Sequence, residues 1–317
     1  MNDAAHMSIL CAVDFSAASA LALKAAGRIA ATFDRPLTVT TVGDPLLAAA
    51  EQVASGDDPA ALLTRALAEF VDETLGPGSS ARHQLTVPLG DAAAEILRQA
   101  EGLGASLLVL STQGASGVRK FMFGSVAERV LREATRPVLV VPPAVADGPM
   151  RTLGAMQEVL APIDFHDHVL DDARLASRVA RASHARLRLL HVIPGDDSQG
   201  WTVLREPAAA QLEAHLSGAR QSRTDRAHEA LEVLASSLDV TPAPTLEIAH
   251  GPVAAQIAAV ADREEVDLVV LGLRGTPGGM GTRVGAVAYR VLCASPAPVL
   301  AVPHEARGGA LAFLDRP

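Results

Sequence analysis

The sequence is poor in aromatic residues and in basic charge, and each shortage excludes a class of partner. Aromatic side chains make up 3% of the 317 residues, so the cores must be aliphatic, and stacking platforms for single-stranded nucleic acid are not expected. Lys and Arg total 27 against 36 Asp and Glu, and the formal charge of −9 disfavours phosphate backbones and anionic membranes. We therefore predict neither a nucleic-acid partner nor a membrane partner.

Cysteines and long apolar runs are also scarce. The two cysteines, Cys11 and Cys293, are too few for a disulfide framework or a four-cysteine zinc site, and a reducing compartment suits them best. No window approaches the roughly 18 consecutive apolar residues of a membrane helix, and the first residues lack the pattern of a secretory signal. These features predict a soluble, cytoplasmic protein.

What the chain does contain is an internal repeat. Residues 124–142 match residues 285–303 at 11 of 19 positions, with a constant offset of 161. Residues 9–15 match residues 159–165 at an offset of 150, so the second copy carries an insertion of 11 residues between its second and third strands. Two homologous domains in tandem are the simplest account.

The repeat and the local composition together predict the domain limits. We place the two domains at residues 1–143 and 155–305, joined by a Pro-rich linker within 142–149. The insertion extends a polar helical region between residues 207 and 238. Residues 304–317 carry no strong structural signal and are predicted to form a tail.

Within each copy, short β-branched runs alternate with Ala-rich helical stretches, which is typical of a parallel sheet wrapped by helices. Strands are predicted near residues 8–13, 37–42, 84–88, 106–111 and 137–141, and near residues 158–163, 187–192, 245–249, 267–272 and 298–302. Runs such as 107–110 lack alternation, so helices should cover both faces. Ser16 and Asp91 are predicted to cap two of these helices. The fold class is therefore α/β, with two doubly wound, five-stranded parallel-sheet domains.

Doubly wound sheets bind ligands where the strand order reverses, so the segments after the first and fourth strands form the candidate site. The same spacing follows each fourth strand: a small residue, a glycine three positions later, nine further residues, and then a glycine that begins a helix. In the first copy these residues are Ser111, Gly114, Gly124 and Ser125, and in the second Gly272, Gly275, Gly285 and Ala286. Glycine permits φ > 0 and leaves backbone N–H groups uncovered, and a helix N-terminus favours an anion. We predict a phosphate-binding loop, with added positive charge from Arg119, Lys120, Arg274 and Arg283.

Acidic and apolar residues follow the neighbouring strands. Asp14 and Asp164 end the first strands and are placed to accept hydrogen bonds from a ribose hydroxyl or an adenine amine. Val42 and Val192 end the second strands, where they could form an apolar wall for a base. Two structural alternatives stay open: the aspartates could cap the helices that follow, and the glycines could serve turns alone.

Other polar residues favour structural interpretations. Residues 166–168 with Asp171 and Asp172 resemble a metal cluster, but acidic residues commonly compensate the dipole at a helix start, and no metal site is predicted. His191 and His250 end strands near the cleft and are interpreted as structural. Because no known catalytic motif is present, no catalytic residue is predicted, and any ATP hydrolysis should be slow.

The combination Gly-x2-Gly-x9-Gly-Ser after a fourth strand, with Asp closing the first strand, resembles the signature of the universal stress protein family. Both halves resemble it, which implies a Rossmann-like fold of the adenine-nucleotide alpha hydrolase type. ATP-binding members hold adenine near the first two strands and the triphosphate on the glycine loop. By position, the implied nucleotide contacts are Ala12, Asp14, Val42, Gly114, Gly124, Ser125 and Val126, and Pro162, Asp164, Val192, Gly272, Gly275, Gly285 and Val287.

Each half departs from the family pattern once. Ser111 stands in the place of the first glycine of the first copy, and Ala286 in the place of the serine of the second. A hydrogen bond to a charged group contributes about 1.5–3 kcal/mol, so the missing hydroxyl weakens the second site by about ten-fold or more. We expect the first half to be the tighter nucleotide site.

The resemblance implies a stress-response sensor or regulator that binds ATP or another adenine nucleotide, with or without Mg²⁺. Two alternatives stay open: a slow ATPase on the same fold, and a scaffold that binds no nucleotide. Family members pair antiparallel through their fifth strands, which implies that the two halves meet as an intramolecular pseudo-dimer. A homodimer of the whole chain is left open.

Overall fold

The predicted strands of both copies join into one ten-stranded sheet in the computed structural model. The structure describes residues 7–55, 58–112, 124–143, 156–165, 169–195, 208–275, 282–303, 306 and 311–314. The first half contributes β1 (Ile9–Ala12), β2 (Leu37–Thr40), β3 (Gln84–Thr86), β4 (Leu107–Ser111) and β5 (Val138–Val141). The second contributes β6 (Glu158–Pro162), β7 (Arg186–Ile193), β8 (Thr245–His250), β9 (Leu268–Gly272), a short hairpin of β10 (Arg274–Gly275) and β11 (Thr282–Arg283), and β12 (Val299–Val302). All ten predicted strands of the large sheet are confirmed.

The sheet order joins the two halves edge to edge. It runs β3-β2-β1-β4-β5-β12-β9-β6-β7-β8, and every neighbouring pair is parallel except β5 and β12. That antiparallel pair aligns Leu139 with Leu300 and Val140 with Val299. Each half therefore covers the apolar edge strand of the other, and the predicted pseudo-dimer through the fifth strands is what the structure shows.

Helices cover both faces of the sheet, as the unbroken apolar strands predict. The first half has α1 (Ala17–Phe33), α2 (Pro45–Ser55), α3 (Pro59–Leu75), α4 (Ala92–Gly102) and α5 (Ser125–Glu133), and the second has α6 (Val169–Ser183), α7 (Ala208–Ser236), α8 (Val253–Arg263) and α9 (Ala286–Ala294). The core on one face is packed by α1, α3, α6 and α7, and the core on the other by α4, α5, α8 and α9. Each core runs through both halves, so the fold is doubly wound.

Helix starts follow the predicted caps. Ser16 is the N-cap of α1, where its hydroxyl accepts a hydrogen bond from the backbone N–H of Ser19 at 3.1 Å. Asp91 is the N-cap of α4, where its carboxylate accepts from the N–H of Ala94 at 2.9 Å. Both predicted caps are confirmed.

The 11-residue insertion of the second half falls in the segment that carries the 29-residue helix α7. Within residues 221–236 of this helix, the buried side chains are Ala227, Leu231 and Leu234, at a spacing of one and two turns, and most of the others are exposed. The predicted polar helical region is therefore confirmed. Among the described helices, none combines the length and the apolar character that crossing a bilayer requires.

Residues 311–314, which follow β12 in sequence, pack against the first half, and this corrects the prediction of a tail over residues 304–317 at these positions. A 3₁₀ turn, Ala312–Leu314, carries the buried side chains of Phe313 and Leu314. The Phe313 ring meets Phe33 of α1 edge to face, with ring centres 6.2 Å apart, and Arg35 donates to the Phe313 carbonyl at 3.4 Å. The second half thus reaches across to the first.

A network of charged side chains links β6, β7, β8 and the end of α8 in the second half. Arg188 is its centre: it donates to Glu158 at 2.9 Å, to Glu247 at 3.0 Å and to Glu264 at 2.6 Å. Glu158 is 3% exposed and also accepts from Arg186 at 2.9 Å. Hydrogen bonds from Arg263, with the charge of Arg188, hold the pKa of Glu264 below its ordinary value of 4.5.

A strained helix end gives a first prediction. Glu265 follows α8 with φ of 48°, where the first half has Gly104 at φ of 58°. Left-handed backbone costs a residue with a Cβ roughly 1–2 kcal/mol, part of which the flexibility of unfolded glycine offsets. Glu265→Gly is therefore expected to raise the free energy of unfolding by about 0.5–1 kcal/mol in a urea titration. The matched change Gly104→Glu should lower it by a similar amount, and a loss of stability in Glu265→Gly would refute this explanation.

Candidate functional site

The candidate site of the first half lies where β1 and β4 run side by side. Cys11 of β1 is paired in register with Val109 of β4, so the segments after both strands meet at the same edge of the sheet. Ala12 is half-buried at the end of β1, and Asp14 is exposed two residues later. The strand pairing therefore brings the predicted aspartate beside the start of the glycine loop.

A backbone hydrogen bond closes the glycine loop. The N–H of Gly124 donates to the carbonyl of Thr112 at 2.8 Å, which brings the start of α5 back to the end of β4. Gly124 is the N-cap of α5, with Ser125 and Val126 exposed beside it. Gly124 has no side chain to cap the helix, so residue 124 leaves the first N–H groups of α5 available to a ligand at the sheet edge.

The backbone angles correct one part of the prediction. Gly124 has φ of −64° and Gly285 has φ of −62°, so neither uses the left-handed region that the glycines were expected to supply. A Cβ at Gly124 would lie 3.5 Å from the Thr112 carbonyl, an ordinary contact, and one at Gly285 would meet no described atom within 4 Å. Among the described atoms, none crowds a Cβ at either position, and neither glycine is required by backbone strain.

Asp14 contacts the start of α1 without capping it. Its carboxylate accepts from the hydroxyl of Ser16 at 2.6 Å and from the Ser16 N–H at 3.2 Å, while Ser16 itself caps the helix. Asp14 is therefore not the helix cap itself; it binds Ser16, and Ser16 caps the helix. These two hydrogen bonds orient the Asp14 carboxylate at the carboxyl end of the sheet.

An ion pair joins the two helices that flank the loop of the first half. Arg129 of α5 donates to Asp91, the N-cap of α4, at 2.8 Å. The N–H of Ala94, and then the charge of Arg129, hold the pKa of Asp91 below its ordinary value. The repeat offset puts Pro252 at the position of Asp91, and proline cannot make this contact. This contact links the middle of α5 to the start of α4, and α9 does not make the equivalent contact with α8.

The second half places its predicted residues differently. Pro162 is half-buried at the end of β6, Asp164 is exposed, and Gly285 and Val287 are exposed at the start of α9. Val192 is 6% exposed because β7 continues to Ile193 and pairs with β8 there, whereas the equivalent Val42 is half-buried. The valine expected to face a base is therefore mostly covered in this half.

Asp172 is a residue that the sequence did not connect with the glycine loop. Its carboxylate lies directly against Gly272, where a Cβ would overlap it. The repeat offsets pair Asp172 with Ala22 and Gly272 with Ser111, so the equivalent positions of the first half carry an alanine and a serine, and those of the second carry an acid and a glycine. The absent side chain of Gly272 makes room for Asp172.

Several predicted residues lie outside the described residues. These are Gly114, Arg119, Lys120 and residues 166–168. Of the second loop, the backbones of Arg274 and Gly275 pair antiparallel with those of Arg283 and Thr282, a hairpin that the sequence did not predict. This hairpin lies near α5 of the first half.

The conspicuous histidines and the central cysteine have structural surroundings. His191 stacks on Phe165 with ring centres 4.6 Å apart, and its Nδ1 lies 2.8 Å from the Ile163 carbonyl. His250 lies 3.2 Å from the hydroxyl of Thr224. Burial raises the pKa of the Cys11 thiol, which keeps it protonated. Within the described part of the chain, no three His, Cys, Asp or Glu side chains are grouped to hold a metal.

Two pseudosymmetric, doubly wound α/β halves that each open a helix on glycine define a class of fold, and sequence comparisons identify the family. The sequence model of the universal stress protein family matches residues 6–142 and again residues 156–303. The chain belongs to the universal stress protein family, in tandem form. The domain limits at 1–143 and 155–305 stay a prediction.

Individual relatives agree with this assignment. Universal stress protein YxiE of Bacillus subtilis (strain 168) is 44% identical over 52 residues, which are 16% of this chain and 35% of that protein. Universal stress protein MJ0531 of Methanocaldococcus jannaschii is 48% identical over 52 residues, 16% of this chain and 31% of that protein. The chain thus spans about a third of the length of each relative.

Solved structures share the whole architecture. A universal stress protein from Archaeoglobus fulgidus DSM 4304 has a TM-score of 0.60 at 19% identity, with 95% of this chain and 99% of that chain covered. A functionally unknown protein from Pseudomonas aeruginosa PAO1 has a TM-score of 0.59 at 18% identity, with 99% and 98% covered. At these identities the likeness establishes the fold.

Proposed function

We propose that this chain is a cytoplasmic nucleotide-dependent regulator whose first half binds ATP or another adenine nucleotide, with or without Mg²⁺. The triphosphate lies on the start of α5, at Gly124, Ser125 and Val126, with Gly114 in the preceding loop. Ala12, Asp14 and Val42 contact the nucleoside. Occupancy of this site changes the contacts of the protein with its partners. The nearly complete match to a nucleotide-binding class of fold supports this proposal.

The observation that carries the proposal is the closed loop of the first half. The 2.8 Å bond from Gly124 to Thr112 brings the first N–H groups of α5, which have no side-chain cap from Gly124, to the edge of the sheet where Asp14 lies. One end of the site thus offers donors to an anion, and the other offers a carboxylate to a hydroxyl or an amine. Those are the two functions that a nucleoside phosphate requires of a binding site.

The second half carries the equivalent residues Pro162, Asp164, Val192, Gly272, Gly275, Gly285 and Val287 as a weaker site. Ala286 offers no hydroxyl at the helix start, and Val192 is mostly covered. The α9 helix also has no counterpart of the ion pair between Arg129 and Asp91. We therefore expect nucleotide to occupy the first half before the second.

The matched variants Gly124→Val and Gly285→Val test this proposal. Both glycines have extended backbone angles that valine adopts readily, and a Cβ has room at each, so the fold should tolerate both changes. The new side chain at position 124 covers the helix N–H groups, each a donor to phosphate that contributes about 1.5–3 kcal/mol. Gly124→Val should weaken ATP binding by about ten-fold or more in calorimetric titration, and Gly285→Val should change it far less.

Three results would count against parts of this proposal. Full ATP affinity in Gly124→Val together with lost affinity in Gly285→Val would contradict the ranking of the two halves. Flat titrations of the unchanged chain with ATP, ADP and AMP would favour the scaffold. Steady ATP turnover that falls in Asp14→Ala would favour the slow ATPase.

A further inference from the structure

The contact between Asp172 and Gly272 places an acid beside the phosphate loop of the second half. Asp172 lies in the first turn of α6, where the helix dipole stabilises a carboxylate, which explains how a partly buried acid is tolerated there. Its carboxyl group covers the open side of Gly272, the residue that begins the glycine loop at the end of β9. The Asp172 carboxyl group therefore lies at the carboxyl end of the sheet and not on the outer face of α6.

The first half has no charge at the equivalent contact. Ala22 of α1 is fully buried, and the residue at the end of β4 is Ser111. The two halves share Asp14 and Asp164 at the ends of their first strands, so Asp172 is an addition to a site that already has one acid. The exchange of Ala22 and Ser111 for Asp172 and Gly272 between the two halves changes the local charge and leaves the fold the same.

We infer that Asp172 is a specificity-determining residue that makes the second cleft discriminate against polyphosphates and take an uncharged nucleoside instead. This inference rests on the proposed function and assigns different ligand classes to the two halves. A like charge within several ångströms of a phosphate weakens binding by about three- to ten-fold in a partly solvated cleft. An uncharged nucleoside such as adenosine does not experience this repulsion.

The variant Asp172→Asn tests the inference because it removes the charge and keeps the shape of the side chain. Full-length protein carrying Gly124→Val, which blocks the first half, is titrated calorimetrically with ATP and with adenosine. Asp172→Asn should tighten ATP binding by about three- to ten-fold and change adenosine binding by less than about two-fold. The gain for ATP should shrink at high salt, since the screening length falls to about 3 Å at 1 M.

Two further variants separate charge from packing. Asp171 lies on the same turn of α6 but is exposed, so Asp171→Asn changes the net charge equally and should change ATP affinity by less than about two-fold. The double change Asp172→Ala with Gly272→Ser reproduces the first-half pair of Ala22 and Ser111. It should show the same gain for ATP as Asp172→Asn.

Several results would overturn the inference. Unchanged ATP affinity in Asp172→Asn, or equal tightening of ATP and adenosine, would show that the charge does not discriminate. If Asp172→Asn bound ATP more weakly than its parent in the presence of Mg²⁺, Asp172 would be a ligand of the cation instead. If the unmodified chain bound neither ligand in either half, the proposed function would fail together with the inference, whereas the first two results leave the proposed function intact.

Discussion

Replacing Arg188 by leucine is expected to lower the free energy of unfolding by about 3–5 kcal/mol. The Arg188 side chain is 14% exposed and donates to three carboxylates, of which Glu158 is 3% exposed. Without the guanidinium, the buried Glu158 carboxylate retains one arginine partner among the described residues, the exposed Arg186. A buried charge that loses its main partner is destabilising because its desolvation is no longer compensated.

The neighbouring arginine supplies the control for this prediction. Arg186 lies on the same strand and donates to the same carboxylate, but its side chain is 64% exposed. Arg186→Leu should therefore cost less than about 1 kcal/mol in a urea titration followed by circular dichroism. Adding Glu158→Leu to Arg188→Leu should recover part of the lost stability, since it removes the uncompensated charge. Equal losses for the two arginine variants would contradict this explanation.

Phe313→Ala is expected to lower the free energy of unfolding by about 3–5 kcal/mol. The ring is buried and meets Phe33 edge to face. Because Phe313 follows β12 and Phe33 belongs to α1, this contact stabilises the second half against the first. Hydrogen exchange of α1 in Phe313→Ala, measured beside the urea titration, should show faster exchange near Phe33.

A double-mutant cycle isolates the contribution of the ring pair. Phe33→Leu and Phe313→Leu keep apolar volume at both positions, and their coupling energy should be about 0.5–1.5 kcal/mol. Leu46→Ala is a suitable control, since that side chain is largely exposed and should change stability little. Unchanged α1 exchange in Phe313→Ala would mean that the segment following β12 does not stabilise the first half.

Local patterns in the sequence predicted the elements that depend on local physics. Most strands are short apolar runs, so their positions along the chain could be inferred from composition and repetition. Ser16 and Asp91 were predicted as caps because a cap acts only on the next turn of its own helix. The antiparallel pairing of β5 with β12 came from resemblance to the family and from the need to cover an apolar edge.

The features that were missed depend on contacts between distant residues. Arg35 and Phe313 lie 278 positions apart, and nothing in the residues around Phe313 indicates a partner. Asp172 could be explained locally by the dipole of α6, so its contact with Gly272 had no separate signal. Comparing the two repeats position by position would have shown both changes together. The positive φ expected of Gly124 was wrong because open space alone explains a glycine there.

The central claim is that the first half holds one adenine nucleotide on the start of α5, and mass spectrometry under non-denaturing conditions tests it most directly. The intact chain, purified and then incubated with ATP, should retain one nucleotide at low ATP concentration, and Gly124→Val should lose that mass while Gly285→Val keeps it. A chain that carries no nucleotide even with ATP in large excess, or that loses it only in Gly285→Val, would contradict the account.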